Sequence, residues 1–414
     1  MTGPAGYWPS PWPGEDAGPS RRQAPHGVPG WGLAPGAPLD VAARQDVVAA
    51  TMPVVRERGE LFLLRHTFGV NTVSWVERID PVSLATVARS ADLAAGPSWP
   101  GGLAAHADGG LLVVYGRWAH RLDPDLHVVA SRPLPVDRAY NSFVLLEDGT
   151  VVTKDLSRGP EASTFSVLDP LTLEDRAAPV GLGEPSVARL SADGLVVHAQ
   201  GTETALRFRW DPDAGRLTAD DGWSSPYRTA PDQSFGWDAV VDGGQVLFMD
   251  NGDHTYEAAM AMEGQGLAAG PVHLVRIPVT GGAAELVEIS GLPHGTQTNL
   301  PVLDPARGIA VGYDSGNGVL AAFDLGPAGL TLRWRRDLGT SMHLVRFPDT
   351  GELVVNDRHD GEEDVVVLAI ETGDELARAA TGSPVQSVVF PAVDHDGSLW
   401  YCSFTTLARV TPRR

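Results

Sequence analysis

A hydrophobic residue, then Asp-Pro, then a turn recurs through this chain. It stands at Ile79-Asp80-Pro81, Leu122-Asp123-Pro124, Leu168-Asp169-Pro170 and Trp210-Asp211-Pro212, with weaker copies at Ile277-Pro278, Phe323-Asp324, Ile370-Glu371 and Val410-Thr411. The intervals are 40 to 47 residues, with one of 67. A self-similar period in the forties, built from β patterns, is the signature of a propeller. Residues 102–135 show the unit. Leu103–His106 reads as a first strand, Asp108-Gly109-Gly110 as a tight turn and Leu111–Tyr115 as a second strand. Trp118–Leu122 is a third strand, ending at Asp-Pro where proline cannot continue a ladder, and His127–Pro133 is a fourth.

Eight segments fit the second strand: Leu61–Leu64, Leu111–Tyr115, Val151–Lys154, Leu195–His198, Val246–Met249, Ile309–Tyr313, Leu353–Asn356 and Leu399–Ser403. They predict an all-β, eight-bladed β-propeller of four-stranded antiparallel blades. Seven blades is the alternative, if residues 52–91 fall short of a full blade. The last repeat runs out at Arg414 before a fourth strand, so residues near 41–50 are expected to supply it and close the ring. The propeller thus spans 41–414, closed by N- and C-terminal strands. Residues 1–40 contain nine prolines, many glycines, and Trp8, Trp12 and Trp31 without period, and are expected to form a disordered tail.

A ring of small sheets lets 414 residues fold without one oversized core. The net charge of −21 excludes duplex nucleic acid as a partner, since no basic stripe offsets it. The single cysteine, Cys402, excludes an intrachain disulfide and a cysteine-built metal cluster. No apolar run reaches a membrane span, and no hydrophobic segment follows Arg21-Arg22 as a twin-arginine signal would require, so a cytoplasmic location is expected.

In a four-stranded meander the first-to-second and third-to-fourth turns share one face. Here these are short Asp-Gly and Asp-Pro turns. The second-to-third loops and inter-blade links share the other face; they are long and chemically rich, and loops on a rigid scaffold carry function. That face places Lys154, His254, Asp253 and His343 as candidate proton-transfer residues. Lys154 stands out as the one lysine among 31 basic Lys and Arg residues, and burial readily makes a lysine a neutral amine, which an arginine cannot become. His254 lies in the longest insertion, which runs from Asp250 to about Gly270 and has the look of a lid. Candidate substrate-binding residues are Trp99, Tyr140, Gln233, Trp237, Tyr256, Gln297, Arg358 and Gln386. Asn141, Glu184, Asp238 and Asn299 are candidate oxygen ligands for a divalent cation such as Ca²⁺.

The repeats at Leu111–Pro133 and Val151–Pro170 resemble the quinoprotein-type and related bacterial β-propeller superfamily over roughly residues 52–414. Quinoproteins of that fold carry adjacent cysteines and recurring tryptophan-docking repeats, which this chain lacks, so pyrroloquinoline quinone (PQQ) is not the expected cofactor. The stretch Tyr140-Asn141-Ser142 is similar to the calcium-lactonase type of propeller, which implies a cation at Asn141. These features together suggest a small-molecule enzyme, a lyase, isomerase or hydrolase acting on a polar metabolite near the propeller axis. The alternative is a non-catalytic scaffold that binds a protein partner.

Overall fold

The computed structural model describes residues 3–45 and 48–413. Its sheets form eight antiparallel blades of four main strands around one axis. Blades 1 to 7 span residues 50–89, 102–133, 140–181, 191–219, 240–288, 302–337 and 345–380. Blade 8 joins Ala392–Val393, Leu399–Cys402 and Leu407–Pro412 to Leu39–Arg44, which pairs antiparallel with the last strand from Leu39↔Pro412 to Arg44↔Leu407. The strand before the first full blade therefore closes the ring, and residues 50–89 form a complete blade, which rules out seven.

All eight apolar runs picked out in the sequence lie in second strands. The reason is burial on both sides: a second strand is flanked by sheet neighbours and covered by the adjacent blades. Leu111–Tyr115 and Val151–Asp155 are buried throughout, whereas the outer strand Val128–Pro133 is largely exposed. The Asp-Pro phrase has a local cause. Asp80 Oδ1 accepts from the amides of Val82 (3.0 Å) and Ser83 (2.7 Å), and Asp169 Oδ1 from those of Leu171 and Thr172 (both 2.9 Å). The turn then forces a leucine to positive φ at Leu84 (59°), Leu126 (72°) and Leu173 (62°). Such a backbone costs roughly 1–2 kcal/mol for a residue with a Cβ, and burial of each leucine offsets it.

The N-terminal segment corrects the expectation of a disordered tail. Residues 3–38 cross the face of the Asp-Gly turns and visit nearly every blade. Trp12 is fully buried, its carbonyl accepts from the Val55 amide (2.9 Å), and Ser10 Oγ donates to the Val55 carbonyl (2.6 Å) in blade 1. Tyr7 bridges to His106 in blade 2, and its hydroxyl accepts from the Leu145 amide (3.0 Å) in blade 3. The Pro19 carbonyl accepts from the Ala192 amide in blade 4 (2.7 Å), and the Ser20 carbonyl from the Val241 amide in blade 5 (2.9 Å). Gln23 Nε2 donates to the Pro301 carbonyl (2.8 Å), while its Oε1 and carbonyl accept from the amides of Leu344 (2.8 Å) and Arg346 (2.7 Å). Trp31 Nε1 donates to the Gly397 carbonyl in blade 8 (2.7 Å). The composition signal failed because the order comes from the ring. Inner strands end in unpaired backbone groups there, and an aperiodic chain satisfies them one by one.

Among the described residues no helix is long and apolar enough to cross a membrane.

Candidate functional site: an aromatic cup on the loop face

The N-terminal segment, residues 3–38, plugs one mouth of the ring and sends charge up the axis. Arg21, 1% exposed, has Nη1 2.5 Å from Glu15 Oε1 and 3.3 Å from Asp16 Oδ2, and its Nη2 donates to Ser142 Oγ (2.8 Å). Glu15 Oε1 lies 3.1 Å from Arg189 Nε, and Arg189 Nη1 lies 3.3 Å from Asp238 Oδ2. Asp16 Oδ1 is 2.8 Å from His343 Nδ1. Burial pushes the Glu15 carboxyl up despite Arg21 and Arg189. Burial acts the same way on Asp16, but His343 and the arginines outweigh it and hold that carboxyl below its ordinary value. Three carboxylates thus face two guanidiniums and one imidazole, a buried network in which nearly every member is paired.

Above this network the loop face opens into a cavity of about 760 Å³. Its lining comes from second-strand ends, second-to-third loops and inter-blade links: His66, Phe68-Gly69 and Ser98–Pro100, Arg158, Arg189, Trp237, His254–Glu257 with Met260, Thr298-Asn299, Val388 and Phe404. Arg189 belongs both to the floor of this cup and to the network below, so the plug closes the axis under it. Trp99 and Trp237 lie 6.1 Å apart between ring centroids at 15°, and Trp237 and His254 6.2 Å apart at 15°. Three near-parallel rings therefore stack in file to make one aromatic wall of the cup. The Arg158 guanidinium sits 4.8 Å from the Trp99 ring at the rim.

Local sequence explains how the wall is held. Trp237 Nε1 donates to the Gly252 carbonyl (2.9 Å), and a Cβ at residue 252 would fall 2.0 Å from the indole, so only glycine fits. Asn251, at φ 54°, accepts from the Ser234 amide (2.7 Å) and donates to the carbonyls of Gly270 (3.0 Å) and Pro271 (2.6 Å). Asp250 accepts from the His273 amide (2.6 Å) and from Gln233 Nε2 (2.8 Å). The loop that looks like a lid is thus stapled at its base. Gln386 ties its tip, accepting from the Met262 amide at Oε1 (2.7 Å) and from the Tyr256 hydroxyl at its carbonyl (2.8 Å).

Two neutral imidazoles face the cup. Burial, with Arg158 adding to it, lowers His254 to about 4. Its Nδ1 accepts from the Tyr256 amide (3.2 Å), which leaves the proton on Nε2. Burial lowers His66 to about 4 as well. Its Nδ1 lies 2.9 Å from the Thr67 carbonyl, and the ring stacks on Tyr115 at 4.5 Å.

The predicted site residues separate into distinct places. His254, Trp99, Trp237, Tyr256 and Asn299 line the cup. Asp253 and Gln233 line a neighbouring depression instead. Lys154 is 1% exposed behind the wall, where Nζ donates to the carbonyls of Ser186 (3.3 Å) and Asp155 (3.5 Å). Burial drives it down to about 7 against the pull of Asp155 and Asp238. His343 faces the plug. Tyr140 is buried between blades, its hydroxyl accepting from the Val136 amide (3.2 Å). Gln297 Nε2 clamps the carbonyls of Met249 (2.9 Å) and Asp250 (3.1 Å), and Arg358 Nη2 donates to the Pro384 carbonyl (3.0 Å).

Three of the four oxygen-ligand candidates take separate partners. Asp238 accepts from the Arg189 amide (2.6 Å) and faces its guanidinium, and Glu184 accepts from the amides of Glu203 (2.9 Å) and Thr204 (3.2 Å). Asn299 Nδ2 donates to the Ser341 carbonyl (2.7 Å). The side chain of Asn141 lies outside the described residues. Among the described residues, no three His, Cys, Asp or Glu side chains gather as a metal set. Sequence reasoning missed His66, Phe68, Arg158, Arg189 and Phe404. His66 ends the second strand of blade 1, the other four sit in loops with no spacing signal, and only ring closure brings them together.

No protein-family model matches the chain, and no curated protein matches it in sequence. In fold it is similar to the Dos1 propeller, with a TM-score of 0.60 and 10% identity over 92% of this chain and 96% of that one. It is also similar to BamB from Moraxella catarrhalis, with a TM-score of 0.55 and 11% identity over 88% of this chain and 100% of that one. Identities this low carry the architecture alone. The likeness extends to the β-propeller fold and no further, so the chain is a β-propeller protein.

Proposed function

We propose that the protein binds a small organic molecule with a flat apolar body in the loop-face cup. The observation that carries this reading is the wall of Trp99, Trp237 and His254, three near-parallel rings over a closed floor. A concave, largely apolar site with a few fixed polar groups is the form such ligand sites take. The chemistry of the polar groups narrows the ligand. Arg158 at the rim favours an anionic substituent, and no buried carboxylate among the described lining residues is present to grip a polyol. Proton transfer in the cup would fall to His254 and His66, since Lys154, Asp253 and His343 lie outside it. A lyase, isomerase or hydrolase working here would use neutral imidazoles.

A probe with the right shape is 2-naphthoate, flat and anionic. Binding followed by ligand-observed NMR should be saturable in the wild type. Trp237→Ala should weaken it about tenfold or more, because it removes the central ring of the wall, and loss of an aromatic pair alone is worth roughly 0.5–1.5 kcal/mol beyond area. No saturable binding by the wild type would overturn the reading. A second reading, docking of a protein partner on this face, draws on Phe68 (58% exposed) and Val70 (75% exposed), which stand together on one loop at the rim. Trp237→Ala would leave such docking unchanged.

A further inference from the structure

Resting on the reading of the cup as a ligand site, we propose that Arg158 and His254 together form its anion subsite and that the ligand is a planar aromatic carboxylate. Both side chains line the cup. Arg158 is exposed there, with its guanidinium 4.8 Å from the Trp99 ring, and among the described residues no carboxylate pairs with it. The other lining arginine, Arg189, already faces Glu15 and Asp238, so its charge is answered from below. Glu257, the one carboxylate among the described lining residues, is exposed and forms an ion pair with neither arginine. Arg158 is therefore the lining cation whose charge awaits a counter-ion.

His254 supplies the second donor. Its ring is half-buried, stacked along Trp237 at 6.2 Å, and close enough to Arg158 for that charge to help lower it. Nδ1 accepts from the Tyr256 amide (3.2 Å), so the neutral ring carries its proton on Nε2. No described residue accepts from that Nε2–H, and it is not among the enclosed unpaired atoms of the protein, so it stays within reach of a ligand. A carboxylate offers two oxygens and binds best to donors that are fixed before it arrives. With one oxygen toward the guanidinium and the other toward Nε2–H, the attached ring system is left to stack on the tryptophans. The net charge of −21 sharpens the choice, because an acidic surface disfavours anions except where local donors offset its field.

2-Naphthoate and 2-acetylnaphthalene test this, being nearly the same size and shape with and without the charge. Both are titrated into the full-length protein near neutral pH by ligand-observed NMR. The acid should bind about tenfold or more tightly than the ketone, since charge-assisted hydrogen bonds are roughly twice as strong as neutral ones. Arg158→Gln keeps a polar side chain without the charge, and His254→Phe keeps a ring beside Trp237 without the donor. Each should cut the ratio about fivefold or more, the scale of one hydrogen bond to a charged group, while ketone binding stays nearly unchanged and reports an intact cup. His254→Asn still accepts from the Tyr256 amide but is too short to reach the Nε2 position, so the ratio should fall there too. Saturable binding of the acid no tighter than that of the ketone by the wild type overturns the anion subsite and leaves the cup reading intact. A ratio that survives Arg158→Gln, or survives both His254 substitutions, does the same. Binding of neither probe overturns the cup reading itself.

Discussion

Replacing Arg21 with Met lowers the stability of the folded protein by about 3–5 kcal/mol, the usual cost of removing one partner from a buried ion pair. The side chain is fully enclosed. Its loss leaves Glu15 and Asp16 facing each other beside Asp238, with Arg189 still paired to Glu15 and Asp238. Methionine fills much of the space, so the loss is one of charge pairing and of the bond to Ser142 rather than of volume. Glu15→Gln in the Arg21→Met background should recover part of the deficit, because it removes one of the stranded carboxylates. The coupling between the two should fall in the range of about 0.5–3 kcal/mol typical of residues in one network. Urea denaturation of the four proteins of the cycle measures it. Additive effects would mean that the two side chains are not in contact.

Lys154→Met should act in the opposite direction. The amine is driven down to about 7 by burial, from an ordinary value of 10.5. The unfolded chain therefore holds this proton between pH 7 and 10.5, while the folded chain does not. Where the unfolded state binds more protons, stability rises with pH. The wild type thus gains stability from this group as pH climbs through that window, and carries the full cost of a buried lysine below it. Taking one pKa unit as 1.36 kcal/mol, the methionine variant should be more stable than the wild type by up to about 5 kcal/mol at pH 6. Its advantage should shrink to roughly 2 kcal/mol at pH 9 and vanish above pH 10.5. Denaturation at pH 6 and 9 gives the comparison. A variant less stable at pH 6 would show that Nζ has better partners than the two long bonds to Ser186 and Asp155. Binding of 2-naphthoate should survive this substitution, since Lys154 lies behind the wall of the cup.

Much of the architecture was legible in the sequence because each element has a short-range cause. The Asp of each Asp-Pro phrase binds the backbone of its own turn, so the phrase marks a blade wherever it occurs. Second strands are doubly buried, so their apolar runs stand out in all eight repeats. The loop face could be chosen for the same reason, since stereotyped turns occupy the other side. The cup could be read only in part. Trp99, Trp237, Tyr256 and His254 were visible as bulky or titratable residues in long loops. Phe404 and Phe68 lie in loops more than 300 residues apart, yet their rings sit 5.8 Å from each other, a contact that only ring closure creates. Lys154 misled by its singularity: its position at the end of a second strand placed it near the face, but its side chain turns into the blade packing.

The N-terminal plug was illegible for a deeper reason. Trp12, Glu15, Asp16 and Arg21 carry no period, because they are placed by contacts to separate parts of the ring, Val55, Ser142, Arg189 and His343, rather than by a long helix or strand of their own. An aperiodic Pro- and Gly-rich segment looks the same whether it is solvated or docked. The distinction lies in the surface that awaits it.

Hydrogen–deuterium exchange on the full-length protein tests the central claim, that residues 3–38 seal one mouth of the ring and set the floor of the cup. The account predicts that peptides covering residues 7–24 exchange as slowly as those covering the second strand Leu111–Tyr115, because the amides of Trp8, Arg21 and Gln23 are hydrogen-bonded and Trp12, Arg21 and Gln23 are enclosed with the core. Complete exchange of that segment within seconds, while the blade strands remain protected, would contradict it.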